Sequence, residues 1–229
     1  MKHALQINNE VVIELTLQRS TVYGCLARIY RKEITADFLP SIRDPQFLGV
    51  LSDLGSGLDA AWFQRPEGAV IEDLAIEYAR LFLGPDKHIS PHESIHHERG
   101  DGDWGSFWGA STVDVKKFIE AAGMQYREDY RDLPDHISVE LEFMQKITEG
   151  ERNAWEEEDT AGALYCLNME KQFLEEHLVK WIPRFCDAIT SQAKLPFYRE
   201  MATITKRFIA FEKENIDAYI SEAHRGKRR

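Results

Sequence analysis

The sequence contains few cysteines and no long apolar run, and both shortages exclude classes of protein. Its three cysteines are widely spaced and form no C-x-x-C pair, which excludes the signatures of a zinc ribbon and of a thioredoxin-type redox site: Cys25, Cys166 and Cys186. A small, odd number of cysteines fits a reducing cytoplasm. No stretch approaches the roughly 20 apolar residues that a membrane-spanning helix needs. We therefore expect no membrane span.

Signals for export and for nucleic-acid binding are also missing. Residues 1–10 show neither the apolar region of a secretory leader nor two adjacent arginines, which favours a cytoplasmic location. The 229 residues include 28 lysines and arginines against 39 aspartates and glutamates, so the net charge is −11. A body of this charge repels nucleic acid and attracts a basic peptide instead. We find no G-x-x-x-x-G-K-[ST] loop, and the sequence gives no support for a nucleotide site.

Convincing β-strand patterns are absent, whereas apolar residues recur at helical spacing along nearly the whole chain. Between residues 196 and 219, apolar side chains alternate at spacings of four and three, a pattern typical of an amphipathic helix: Phe197, Met201, Ile204, Phe208 and Phe211. Similar patterns predict helices over residues 10–32, 45–54, 57–64, 69–83, 111–122 and 135–159. A further apolar stripe covers 167–185, where Pro183 should kink the helix or begin a new one.

These segments together predict an all-α fold. The chain length suits a single helical domain over residues 1–224, with about nine to eleven helices at usual helix lengths. Residues 225–229 carry four basic side chains, and we expect them to form a disordered tail. Gly123 suits the residue that ends the helix over 111–122.

One long irregular stretch, residues 84–109, interrupts the helical pattern. It contains seven glycines and prolines: Gly84, Pro85, Pro91, Gly100, Gly102, Gly105 and Gly109. Long loops in compact domains are usually functional or disordered. Because this loop also carries Trp104, Phe107 and Trp108, we expect it to dock against the body of the protein.

Within that stretch, residues 92–96 read H-E-x-x-H. On a helix this spacing places His92 and His96 on one face, where they hold zinc while Glu93 acts as general base. Ser90 as N-cap and Glu93 as its capping-box partner make a helix credible. The helix would be short, however, and no third ligand follows in a metallopeptidase context. A zinc-dependent hydrolase is thus the alternative, and His92 and His96 form a possible, adventitious metal site.

A second segment, residues 133–144, begins another predicted helix. Pro134 and Asp135 start it, and Asp135 caps its free amides. His136 is then a surface residue of the first turn, or it lines a site with Asp135 and the 84–109 loop. Spacing alone leaves both interpretations open.

Three short motifs follow one another in order along the chain. The first comprises Glu77, Tyr78, Leu81, Phe82 and Gly84, and the second comprises Pro91, Glu93 and Ser94. The third comprises Pro134, Asp135, His136, Glu140, Leu141, Phe143 and Met144. Together they resemble the motifs of the TorD/DmsD/NarJ family of molybdoenzyme maturation chaperones, and the resemblance covers about residues 72–145. His92 and His96 stand where the family often carries aromatic residues, and this departure puts the aromatic wall of the family's binding surface in doubt.

The resemblance implies a TorD-like helical fold and a chaperone that is not an enzyme and uses no cofactor. Such a chaperone binds the twin-arginine leader, or the N-terminal region, of an apo molybdoenzyme catalytic subunit and assists cofactor insertion before export. The family also implies a possible domain-swapped homodimer. We expect the peptide-binding residues to cluster in space, with Asp135 and His136 as the main contacts: Tyr78, Leu81, Phe82, Pro91, Glu93, Ser94, Pro134, Asp135 and His136.

Overall fold

The computed structural model describes residues 9–226 except 54, 56, 59, 85–87, 99–103 and 129. This part of the chain contains no β-strand, and its only β-type pairings are two isolated bridges, His92 with His136 and Glu98 with Trp104. The α-helices are α1 Asn9–Arg31, α2 Leu39–Arg43, α3 Pro45–Asp53, α4 Glu67–Tyr78, α5 Ala110–Ala121, α6 Ile137–Glu156, α7 Thr160–Phe173, α8 Val179–Gln192 and α9 Pro196–Gly226. The all-α prediction is confirmed.

Short turns of other helix types complete the fold. Residues Ala60–Gln64 and Glu93–Ile95 form 3₁₀ helices. Residues Ala79–Leu83 and Leu174–Leu178 form π-helical turns that extend α4 and join α7 to α8 without a break. The described residues therefore form eight uninterrupted α-helical segments, slightly fewer than the nine to eleven predicted. One reason is that Pro183 lies inside α8 and does not begin a new helix.

The long helices pack around one hydrophobic core. α1 packs along α6, α6 against α7, and α9 against both α7 and α8. The apolar stripe predicted for α9 fills the centre with Phe197, Met201, Ile204 and Phe208, whereas Phe211 extends beyond the core and is 42% exposed. The N-terminal end of α6 meets the irregular segment that follows α4, because the amide of Ile137 donates to the carbonyl of Pro91 (2.8 Å).

A buried ion cluster joins four of these helices. Arg19 of α1 donates to Glu151 of α6 (2.7 Å), to Glu212 of α9 (2.9 Å) and to Glu170 of α7. All four side chains are almost completely buried. Burial, with the charges of Glu151 and Glu212, raises the pKa of Glu170 well above its ordinary value although Arg19 opposes this shift. One cation thus holds three carboxyl groups inside the bundle.

α9 includes Arg225 and Gly226, so the first two residues of the predicted disordered tail are helical, and 227–229 lie outside the described residues. No helix within the described ranges is long and apolar enough to cross a membrane.

Candidate functional site

The H-E-x-x-H segment does not form the predicted helix. His92 has an extended backbone (φ −117°, ψ 132°), and only Glu93–Ile95 forms a short 3₁₀ turn. The reason is tertiary: the amide of Glu93 donates to the carbonyl of Asp135 (2.9 Å), and the amide of Ile137 donates to the carbonyl of Pro91 (2.8 Å). These bonds to a distant segment replace the local bonds that a helix needs.

The two histidines consequently have different partners. Nε2 of His92 lies 3.0 Å from Oδ1 of Asp132, and Nε2 of His96 lies 2.8 Å from the carbonyl oxygen of Ser90. In the described part of the chain, no group of three or more His, Cys, Asp or Glu side chains is placed to hold a metal ion. The zinc-hydrolase alternative lacks the helical geometry it requires. Adventitious metal uptake by His92 and His96 stays a prediction.

The second and third sequence motifs come together in space. The bridge between His92 and His136 lays the segment from Pro91 to Ser94 against Pro134–Ile137. The amide of Ser94 donates to Oδ2 of Asp135 (2.8 Å). Pro91, Glu93, Ser94, Pro134, Asp135 and His136 therefore form one local structure at the N-terminal end of α6.

Asp135 does not have the capping role predicted for it, and His136 takes that role instead. α6 begins at Ile137, and its N-cap is His136, whose Nδ1 accepts from the amide of Ser138 (3.1 Å). Asp135 is not the cap, since its carboxylate binds the amide of Ser94 and is completely buried. Burial lowers the pKa of His136 to about 4, so the imidazole stays neutral and keeps the acceptor that the cap requires. A surface position for His136 is therefore wrong.

Glu93 is a buried anchor and not a capping-box residue. Its two carboxylate oxygens accept from Nδ1 of His177 (2.9 Å) and from Nε2 of His97 (2.8 Å). Burial pushes the pKa of Glu93 upward, but the bonds from His177 and His97 outweigh it and hold this pKa below its ordinary value. The neighbouring Glu140 accepts from Nε1 of Trp181 (2.9 Å). Burial and the charge of Glu93 raise the pKa of Glu140 well above its ordinary value.

The first motif lies in the core beneath this structure. Tyr78, Leu81 and Phe82 are all buried, and the hydroxyl of Tyr78 donates to the carbonyl of Tyr30 (3.0 Å). The ring of Phe82 packs 6.1 Å from that of Phe185, which in turn lies 5.7 Å from the imidazole of His96. These side chains pack in the core on the inner side of His96 and are not available at the surface.

The loop of residues 104–108, called here the aromatic loop, docks through its backbone. The amide of Gly105 donates to the carbonyl of His97 (3.1 Å), and the amide of Ser106 donates to that of Ser94 (3.2 Å). Gly105 has a φ of +77°, and a Cβ there would lie 3.0 Å from the carbonyl oxygen of Ile95. The predicted docking is confirmed for this backbone.

The rings of the aromatic loop, in contrast, remain largely exposed. Trp104 covers the guanidinium of Arg184 (3.4 Å), and Phe107 meets the ring of His92 edge-on (5.6 Å). Phe107 is 55% exposed and Trp108 is 68% exposed. Trp108 also has a φ of +61°, a left-handed conformation that costs energy for a residue with a side chain. A loop whose backbone is held by hydrogen bonds while its aromatic rings are exposed to solvent is typical of a binding surface.

A cavity of about 710 Å³ lies at the N-terminal end of α6, and the sequence analysis predicted few of the residues that line it. It is lined by His136 and Phe143 and by residues of the irregular segment before α6, among them Tyr126, Tyr130 and Asp132. The hydrogen bond from His92 lowers the pKa of Asp132 to about 2 although burial opposes this shift. No local pattern marks Asp132 in the sequence, since its partner His92 is 40 residues away.

Comparison with known proteins identifies the family. A family model described as "Nitrate reductase delta subunit" matches residues 49–187. The chain belongs to this family, the TorD/NarJ family. It is 24% identical to the chaperone protein TorD of Vibrio cholerae serotype O1 (strain M66-2), over 98% of this chain and 100% of that protein.

Two further relatives carry the same name. TorD of Vibrio atlanticus (strain LGP32) is 24% identical over 86% of this chain and 94% of its own length. TorD of Aliivibrio fischeri (strain ATCC 700601 / ES114) is 23% identical over 87% of this chain and 93% of its own. The family assignment made from the three motifs is confirmed. Because the relatives are named as chaperones, the comparison also agrees with the expectation that the chain is not an enzyme.

Proposed function

We propose that this protein is a cytoplasmic chaperone for the catalytic subunit of a molybdoenzyme. It binds the twin-arginine leader, or the N-terminal region, of the apo subunit and holds it back until the molybdenum cofactor is inserted. Family membership supports the chaperone role, and the site supports a peptide as ligand. The observation that carries the proposal is the aromatic loop, whose backbone is pinned to residues 94–97 while its rings stay exposed.

The chemistry of such a leader suits the surface. Two arginines followed by an apolar stretch need carboxylates and an apolar contact area close together. The chain carries a net charge of −11, which steers a basic peptide towards it. Phe107 and Trp108 supply apolar area, and Asp132 supplies an ionised carboxylate beside it. We also propose that two copies of the chain can form a homodimer by domain swapping. The mass of the purified protein in solution tests this, because a dimer has twice the mass of the monomer.

The test is to co-express the chain with the molybdoenzyme catalytic subunit encoded nearest to its gene, with and without the first 50 or so residues of that subunit. We expect the chain to retain the apo subunit on an affinity column and to release it once the cofactor is bound. Equal retention of the truncated subunit would contradict binding through the N-terminal region. No retention of either form would contradict the chaperone role for this client.

A double variant of the exposed rings tests whether the aromatic loop is the part that binds the client. Changing Phe107 and Trp108 to serine removes apolar area that the fold does not bury, so stability should change little while client retention falls about tenfold. Tyr165→Ser on α7 is the matched control, because this ring is similarly exposed (54%) on a different helix. Loss of retention in the control alone would show that the client binds elsewhere.

A further inference from the structure

We propose that Asp132, and not Asp135, is the carboxylate that receives a guanidinium group of the bound peptide, and that His92 is the positioning residue that holds it. This inference rests on the proposed peptide-binding function. It assigns a ligand chemistry to a residue outside the motifs that identify the family.

Asp135 is unsuitable because nothing from solvent reaches it. Its side chain is 0% exposed and its Oδ2 is occupied by the amide of Ser94. Glu93 and Glu140 are equally enclosed, and their oxygens bind His97, His177 and Trp181. A guanidinium that bound any of these three would first have to break the packing of the 91–94 segment against α6.

Asp132, by contrast, is accessible and held in place. Its side chain is 51% exposed and forms part of the cavity wall. Oδ1 accepts from Nε2 of His92 (3.0 Å) and from the amide of Leu133 (2.7 Å). Both of these donors fix the carboxylate through a single oxygen, which leaves the lone pairs of Oδ2 to a ligand. A preorganised carboxylate loses less entropy when it binds a guanidinium than a mobile one does.

The cations of the cavity are largely engaged by other groups. Arg31 pairs with Glu142, and Lys146 pairs with Glu149. Arg131 donates to the carbonyl oxygens of Glu128 and Tyr130. In the described parts of the chain, Asp132 has an ion-pair contact with His92 alone.

His92 connects the carboxylate to the aromatic loop. The imidazole of His92 forms a hydrogen bond to Asp132 through Nε2, and its ring lies 5.6 Å from the ring of Phe107 between centroids. A peptide whose arginine is followed by apolar residues therefore contacts the carboxylate and the exposed rings at once. An aromatic residue at position 92 would keep the contact with Phe107 but would lose the hydrogen bond to Asp132. The histidine thus gives this chain a fixed carboxylate where an aromatic residue would give only apolar contact.

The experiment measures the affinity of a fluorescent synthetic peptide that carries two adjacent arginines followed by an apolar stretch, and of its counterpart with both arginines changed to glutamine. We expect Asp132→Asn to weaken the arginine peptide at least tenfold and the glutamine peptide less than twofold. Asp187→Asn is the control for net charge, because Asp187 is an exposed carboxylate of α8 paired with Lys206, and it should weaken neither peptide more than twofold.

Two variants of His92 test its positioning role. His92→Phe should weaken the arginine peptide three- to tenfold, and His92→Gln should recover most of that loss because its side-chain amide again donates to Asp132. If the unmodified protein binds the arginine peptide but Asp132→Asn binds it equally well, this inference is wrong while the proposed function stands. If the unmodified protein binds neither peptide, both are wrong.

Discussion

The two ends of α6 carry two buried groups of carboxyl side chains, and they are stabilised in different ways. Near its C-terminal end, Glu151 joins Glu170 and Glu212 around the guanidinium of Arg19. Near its N-terminal end, Glu140 lies with Glu93 and Asp135, whose hydrogen bonds come from histidines, from Trp181 and from backbone amides. The first group fastens four helices together, and the second fastens irregular segments to one helix.

The two groups differ in what compensates their buried carboxyl groups. A central cation compensates several buried charges at once and makes a rigid junction. Separate hydrogen-bond donors, each directed at one carboxylate oxygen, fix the orientation of the carboxylates, which suits a surface that must hold loops in a set position. In both groups a carboxyl group has a raised pKa, Glu170 in one and Glu140 in the other, because burial and neighbouring carboxylates disfavour a further charge.

Removing the central cation should give the largest effect. Arg19→Met leaves three buried carboxyl groups without their positive partner, and we expect a loss of about 3–5 kcal/mol in the free energy of unfolding at pH 7. Urea denaturation measures it. The loss should shrink as pH falls, because the remaining carboxyl groups then take up protons. Lys206→Met removes an exposed ion pair with Asp187 and should cost less than about 1 kcal/mol. Equal losses in the two variants would contradict the comparison.

The second prediction concerns pH and the N-cap of α6. Burial lowers the pKa of His136 from its ordinary value of 6.5 to about 4. Between these values the unfolded chain binds a proton that the folded chain does not, so stability is lost as pH falls from about 6.5 to about 4, by at most about 3 kcal/mol.

His136→Asn tests this contribution, because asparagine also accepts at an N-cap but does not titrate in this range. We expect the variant to lose less stability than the unmodified protein between pH 7 and pH 4, as measured by urea denaturation at several pH values. Other titrating groups, including His96 and Glu140, are common to both proteins and cancel in the difference. Parallel pH profiles would show that His136 does not contribute.

The smallest effect is expected at Asp135. Asp135→Ala leaves the amide of Ser94 without its acceptor and should cost about 2 kcal/mol of stability. Asp135→Asn restores an acceptor and should cost less. The melting temperatures of the two variants give the comparison, and peptide affinity measured on folded protein should fall less than in Asp132→Asn. An affinity loss in Asp135→Asn as large as in Asp132→Asn would return Asp135 to the role predicted from the motif.

The sequence predicted the helices well wherever their apolar stripe is long. The predicted start of α9 at residue 196 is correct, although the helix continues past 219 to Gly226, and α6 lies within the predicted range 135–159. Gly123 follows α5 with a φ of +79°, as its predicted role at the helix end requires. The prediction of a helix over residues 92–96 was wrong. Local spacing there is compatible with a helix, but the amide of Glu93 finds its acceptor at Asp135, 42 residues along the chain.

The sequence by itself determined the fold class and the family of this protein. Apolar periodicity needs only near neighbours along the chain, and three ordered motifs need only the order of residues. The tertiary structure alone decided which carboxylates are reachable. Asp135 stands in a motif yet is enclosed by residues 91–94, whereas Asp132 stands in none and lies at the surface beside His92. Burial depends on what packs against a side chain from elsewhere in the chain, and no local pattern of residues carries that information.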